Sequence, residues 1–199
     1  MEPVFVDGVP VLWHPNPMTR TLHAVLQFRT GMADETWPTA GWTHLVEHMV
    51  LEGLAQGPLG VNGTTAPLLT TFEFAGPEPM VVNALYTVCR RLAYLDVTGA
   101  AHEAQILAAE KEFRGLNWGV RALAERFGAQ GPGLVGYSEP GLQSVDPRAL
   151  LSFIAERFTA GNAVLMLDGA AIPANLSLPL PPGQLLVARE WNGSIANWG

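Results

Sequence analysis

The chain has 199 residues, 48% of them hydrophobic and 15% charged, with a formal net charge of −7. That length suits one sizeable core, the composition excludes a disordered chain, and the acidic balance argues against nucleic acid as the main partner. Cys89 is the single cysteine, which excludes an internal disulfide and a four-cysteine zinc site.

The first residues, Met1 to Asp7, carry no basic start ahead of a long apolar core, so no signal peptide is expected. No stretch approaches the ~18 uninterrupted apolar residues of a membrane span, and the expected location is the cytoplasm. Val4–Val6 and Val9–Leu12 flank Asp7-Gly8 and read as a hairpin or a bulged strand. Thr21–Arg29 alternates as a strand, Gly31–Thr39 is loop, and Pro38-Thr39 marks a helix start, with the end near Gly53. Gln56–Gly63 reads as Gly/Pro punctuation, and Thr64–Phe74 as a strand that Pro67 confines to a sheet edge. Helices follow from about Pro79 to Leu95, where Cys89 is buried, and from about Ala100 to Phe127. Gly128–Gly141 is glycine-rich loop. Asp146-Pro147 supplies an N-cap and a proline at the first helical position, opening a helix to about Phe158. Asn162–Asp168 is a short buried strand, and the Pro-rich tail from about 170 offers Leu185–Ala188 as one more. This order predicts a single α+β domain over 1–199, a mixed or antiparallel sheet covered by helices on one face.

One pattern stands out. His44-Leu45-Val46-Glu47-His48 is the inverted zinc-peptidase motif H-x-x-E-H, set in the first predicted helix. Two imidazoles four residues apart stand one above the other on a helical face, the spacing a single metal ion needs. Glu47 points to the same edge, close enough to hold a water without ligating the metal. A pair of histidines on a helix also occurs as a polar face or a satisfied core pair. Here Leu45, Val46, Met49, Val50 and Leu51 surround the three polar groups, which therefore require a compensating partner, and a metal is the simplest.

A catalytic zinc takes three protein ligands, so one lies outside the motif. Glu103 and Glu110 are two turns apart on one stripe of the long helix, while Glu112 falls nearly opposite Glu110. One of the two aligned glutamates suits a ligand and the other a support for a ligand histidine; spacing alone does not choose between them.

The segments Gly31–Glu35 and Gly41–Gly53 resemble the M16 metallopeptidases, the inverted-motif proteases of the pitrilysin, insulinase and mitochondrial processing peptidase type. Gly60-Val61-Asn62-Gly63-Thr64-Thr65 is similar to the family segment that leads into a substrate-pairing edge strand. Glu103–Glu110 resembles the downstream helix with two glutamates seven apart; 146–153 and 162–169 resemble the closing helix and strand. The resemblance covers nearly the whole chain. It implies zinc held by His44, His48 and Glu110, Glu47 as general base and then acid, and Glu103 as the supporting glutamate. It also implies a peptide substrate paired along Asn62, Thr64 and Thr65.

Two departures matter. The interval from His48 to Asn62 is shorter than the family's, as if a helix had been lost, and this opens the cleft wall. Family members also carry a second homologous half that supplies an Arg and a Tyr near the scissile carbonyl, and this chain has one half. Arg126 and Tyr137 lack the context for that pair and are not assigned to it. The expectation is a zinc endopeptidase subunit acting with a second M16-like chain, a heterodimer more readily than a homodimer. The rivals are a non-catalytic scaffold or binding subunit, and a narrow protease trimming the leader of one precursor peptide.

Overall fold

The computed structural model describes residues 4–111, 118–187 and 191, with 109–111 described by backbone alone. β1 (Val4–Val6) and β2 (Val9–Pro15) pair antiparallel around Asp7 and Gly8, at φ 50° and 85°. These left-handed residues build the tight turn whose twist matches the strands it joins. β3 (Leu22–Phe28), β4 (Gly60–Thr65), β5 (Thr70–Gly76) and β6 (Ala163–Gly169) complete a six-stranded sheet of order β1-β2-β6-β3-β5-β4. Its one parallel pair is β2 with β6, so the sheet is mixed.

Alternation along the strands separates the two faces. Leu22, Ala24, Leu26 and Phe28 of β3 and Leu165 and Leu167 of β6 are buried on one face. That face is covered by α1 (Trp42–Leu51), which packs on β4 and β5, and α2 (Glu78–Ala93), which packs on β3 and β5. α3 (Ala100–Lys111) packs on α1, and α5 (Pro147–Arg157) on α2. Phe28 stands edge-on to Phe72 and Phe158, with centroids 6.1 and 5.1 Å away, at the centre of this core. The opposite face of the sheet presents Leu12, Val25 and Met166 in one row. Leu12 is 56% exposed.

Several expectations need correction. Thr64–Phe74 is not one strand. Residues 66–69 turn the chain, so that Thr64 and Thr65 end β4 while Phe72 and Phe74 lie in β5, inside the sheet. Of these two strands only β4 lies at an edge of the sheet, and it begins at Gly60, inside the stretch that reads as punctuation. Its glycines have little strand preference of their own, and pairing with β5 supplies what they lack. Leu185–Val187 form no strand; the Leu186 amide instead donates to Asn162 Oδ1 at 2.9 Å. Ala188 lies outside the described residues. The long helix expected from Ala100 to Phe127 is seen as α3 and α4 (Trp118–Phe127), with 112–117 outside the described residues. Asp146 caps α5 as its position implies, accepting from Arg148 N at 2.9 Å. Among the described residues no helix is long and apolar enough to cross a membrane.

Candidate metal centre

The motif helix is short and held at both ends by other parts of the chain. Its N-cap residue, Gly41, has φ 98° and no side chain to satisfy the free amides of the first turn. Glu35 does this from the preceding loop. Its Oε2 accepts from Gly41 N at 2.8 Å and its Oε1 from Thr43 N at 2.7 Å. A carboxylate at a helix N-terminus also opposes the helix dipole. At the other end Arg91 of α2 donates to the carbonyls of Val50 and Glu52, both at 2.7 Å. A cation there complements the same dipole.

Glu35 is only 2% exposed. Burial pushes its carboxyl up to about 7; hydrogen bonds from Thr43 and Gly41 pull the other way, and the charge of Glu139 adds to the rise. A group that binds its proton more tightly when folded stabilises the fold fully below its unfolded value, near 4.5. That contribution is lost as pH rises through about 7. Chemical denaturation across this window should therefore show stability falling by about 3 kcal/mol through this residue. In Glu35→Gln that component should be absent. Parallel pH profiles for the two proteins would refute it.

Within α1 the three motif side chains converge. One ligand atom each from His44, Glu47 and His48 lies within 4.8 Å of the others. The imidazoles stand edge to face, with ring centroids 4.9 Å apart. His48 Nδ1 is 3.2 Å from Oε1 of Glu103 on α3, within hydrogen-bond reach. Glu110 lies two turns further along α3 by backbone, and its side chain, like the whole of Glu112, is outside the described residues.

Glu47 packs towards the edge strand. A Cβ built on Gly63 of β4 would overlap Glu47 Oε1 and fall 2.6 Å from Leu51 Cδ1. Glycine at 63 thereby lets the carboxylate lie against the strand backbone. Val61, Gly63 and Thr65 face the helix side, whereas Asn62 and Thr64 are exposed on the other face. Asn62 Nδ2 reaches Glu73 Oε2 at 3.4 Å. Tyr137 stands edge-on to Trp37 at 5.3 Å and Arg126 lies over the ring of Phe127, so neither joins the motif group.

One acidic residue at the site is missed by sequence reasoning. Glu139 Oε1 lies 3.3 Å from His44 Nδ1, with both side chains nearly buried. The approach is off the line of a formed hydrogen bond, which leaves this buried Nδ1 without one among the described residues. Glu139 sits 95 positions from His44 at the end of a glycine-rich run. No local spacing links the two; an acidic residue in an otherwise uncharged loop was the only signal.

A pair of imidazoles beside carboxylates can bind a divalent cation, and a carboxylate beside such an ion can move protons. No protein-family model matches the sequence, and no curated protein matches it. Solved structures do share its fold. The first half of the periplasmic protease PqqL from Escherichia coli aligns with a TM-score of 0.75 at 16% identity, over 96% of this chain and 48% of that one. A peptidase M16 inactive domain from Pseudomonas fluorescens aligns with a TM-score of 0.75 at 17% identity, over 95% and 53%. Pitrilysin aligns with a TM-score of 0.70 at 20% identity, over 88% and 22%. The chain therefore spans about half the length of the first two and less of pitrilysin. At these identities the likeness establishes the architecture, that of an M16 peptidase half-domain.

Proposed function

We propose that this chain is the metal-bearing half of a zinc endopeptidase that cleaves extended peptides and is completed by a second M16-like unit. The observation that carries this reading is a meeting of three features. Two histidines and a glutamate converge on one helix, their carboxylate lies against the backbone of Gly63, and Gly63 belongs to an edge strand. An extended peptide adding to β4 by main-chain hydrogen bonds would run past Glu47.

The donors fit zinc. Both Nδ1 atoms face glutamates, which leaves Nε2 of His44 and His48 as the natural ligand atoms, and the buried His44 Nδ1 marks a ring not yet fully satisfied. Glu110 would complete the set. When bound, zinc supplies Lewis-acid polarisation of the carbonyl and lowers the pKa of water. Glu47 then takes a proton from the attacking water and returns it to the leaving amine. Glu103 fixes the His48 ring, and β4 fixes the peptide. A scaffold without turnover is the second reading, favoured by the fold match to a domain described as inactive. The intact His44-Glu47-His48 group weighs against it.

The test is competition with a chelator, run beside cleavage of an extended peptide. Glu110→Gln should weaken zinc binding most, Glu112→Gln least, and Glu103→Gln should fall between them, near the 10–100-fold typical of a residue supporting a ligand. A larger effect at Glu112 than at Glu110 would show the register of this helix to be wrong.

A further inference from the structure

The backbone of Glu139 is unusual. It lies at φ 54° and ψ 60°, a left-handed conformation that glycine and asparagine adopt readily and glutamate does not. Strain of this kind persists where the surroundings over-determine it, and here they do. Gly141 N donates to Ala40 O at 3.0 Å, and Trp42 Nε1 donates to Gly141 O at 3.1 Å. Leu142 N closes back on Glu139 O at 3.0 Å. The loop that follows Glu139 is thus fastened to Ala40 and Trp42, at the start of the turn that carries His44.

The packing is matched from the helix side. A Cβ on Gly41 would fall 2.7 Å from Glu139 Cβ and 2.9 Å from Leu142 Cγ. Two left-handed residues meet here, and the glycine makes room for the glutamate. The result is a carboxylate, 7% exposed, delivered to the Nδ1 side of a histidine that is itself 6% exposed. On His48 the same Nδ1 position is met by Glu103.

We propose that Glu139 is the positioning residue for His44: a small turn of the ring closes the 3.3 Å approach, so that Oε1 accepts from a protonated Nδ1 and Nε2 is presented as the donor atom. Glu103 and Glu139 then form a matched pair, one per histidine, contributed by a helix and by a loop. The assignment rests on the metal-centre reading for its purpose, but the ring state itself can be measured without metal.

Histidine-selective nitrogen-15 labelling and long-range proton–nitrogen NMR on the full chain report which ring nitrogen of His44 carries the proton. In the wild-type chain and in Glu139→Gln, which keeps an acceptor oxygen at the same reach, the Nδ1–H form should dominate. Glu139→Asn suits the left-handed backbone but is one methylene too short, and there the Nδ1–H form should be lost at His44 and kept at His48. Glu139→Gly makes the same prediction and removes the backbone strain as an explanation. Zinc affinity should fall by roughly 10–100-fold in the Asn and Gly variants and far less in Gln. A folded Asn or Gly variant with the wild-type His44 signature would overturn the assignment. If the tautomer responds as expected while the wild-type chain binds no zinc, the positioning role stands and the zinc reading fails.

Discussion

Glu47→Gln should retain the metal and lose peptide hydrolysis by roughly 10²–10⁴-fold, the range of a positioned proton-transfer group. His48→Ala should lose the metal altogether. The contrast follows from where the two side chains go. His48 is backed by Glu103 at 3.2 Å, which orients a ring as a ligand is oriented. Glu47 turns its carboxylate to the space above Gly63, beside the strand where a peptide would pair. Glutamine keeps the shape but cannot accept a proton, so only the chemical step should suffer. Metal content and cleavage rate, measured on the same two preparations, decide the matter. Loss of the metal from Glu47→Gln with its retention in His48→Ala would mean that the roles are exchanged.

Adding a second unit of the same fold should raise cleavage by this chain on the order of 10²-fold, because placing the substrate against the reacting group depends on a complete cleft. The purified chain alone should be weakly active. Two findings motivate this. The chain spans 48% of the first half of PqqL and 53% of the Pseudomonas fluorescens domain. The helix-free face of its sheet also leaves large apolar groups in water, with Phe5 59% exposed and Leu12 56%. Exposed apolar surface of this kind would suit a second protein unit. Light scattering after size exclusion would show the assembly, and a cleavage assay its effect. A strictly monomeric chain with full activity alone would exclude the partner.

The parts of this structure that were legible in advance share a physical cause: their signal is local. His44, Glu47 and His48 declare themselves because helical spacing is enough to put them on one edge. Asp146 before Pro147 declares a helix start for the same reason, and the Asp7-Gly8 turn declares its hairpin. Spacing aligned Glu103 with Glu110 and only the resemblance brought it to the motif; its approach to His48 depends on how α3 crosses α1. What was missed is held by contacts between distant segments. β4 is a strand because β5 offers it partners, although its own Gly60 and Gly63 argue otherwise. Glu35, Arg91 and Glu139 act on the motif helix from three separate places, and nothing in their neighbourhoods announces it.

The clamping of α1 from both ends has a further consequence. A helix of ten residues falls below the ~12–15 at which an isolated helix becomes even marginally stable in water. The two histidines thus have no lasting geometry until Glu35, Arg91, Glu103 and Glu139 have all arrived. An unfolded or half-folded chain would offer an ion scattered single ligands, whereas the finished fold offers a group. An ion bound there at a hundred times its dissociation constant would deepen the native well by about 2.7 kcal/mol. A metal taken up by such a group would come late, as a seal on a completed fold.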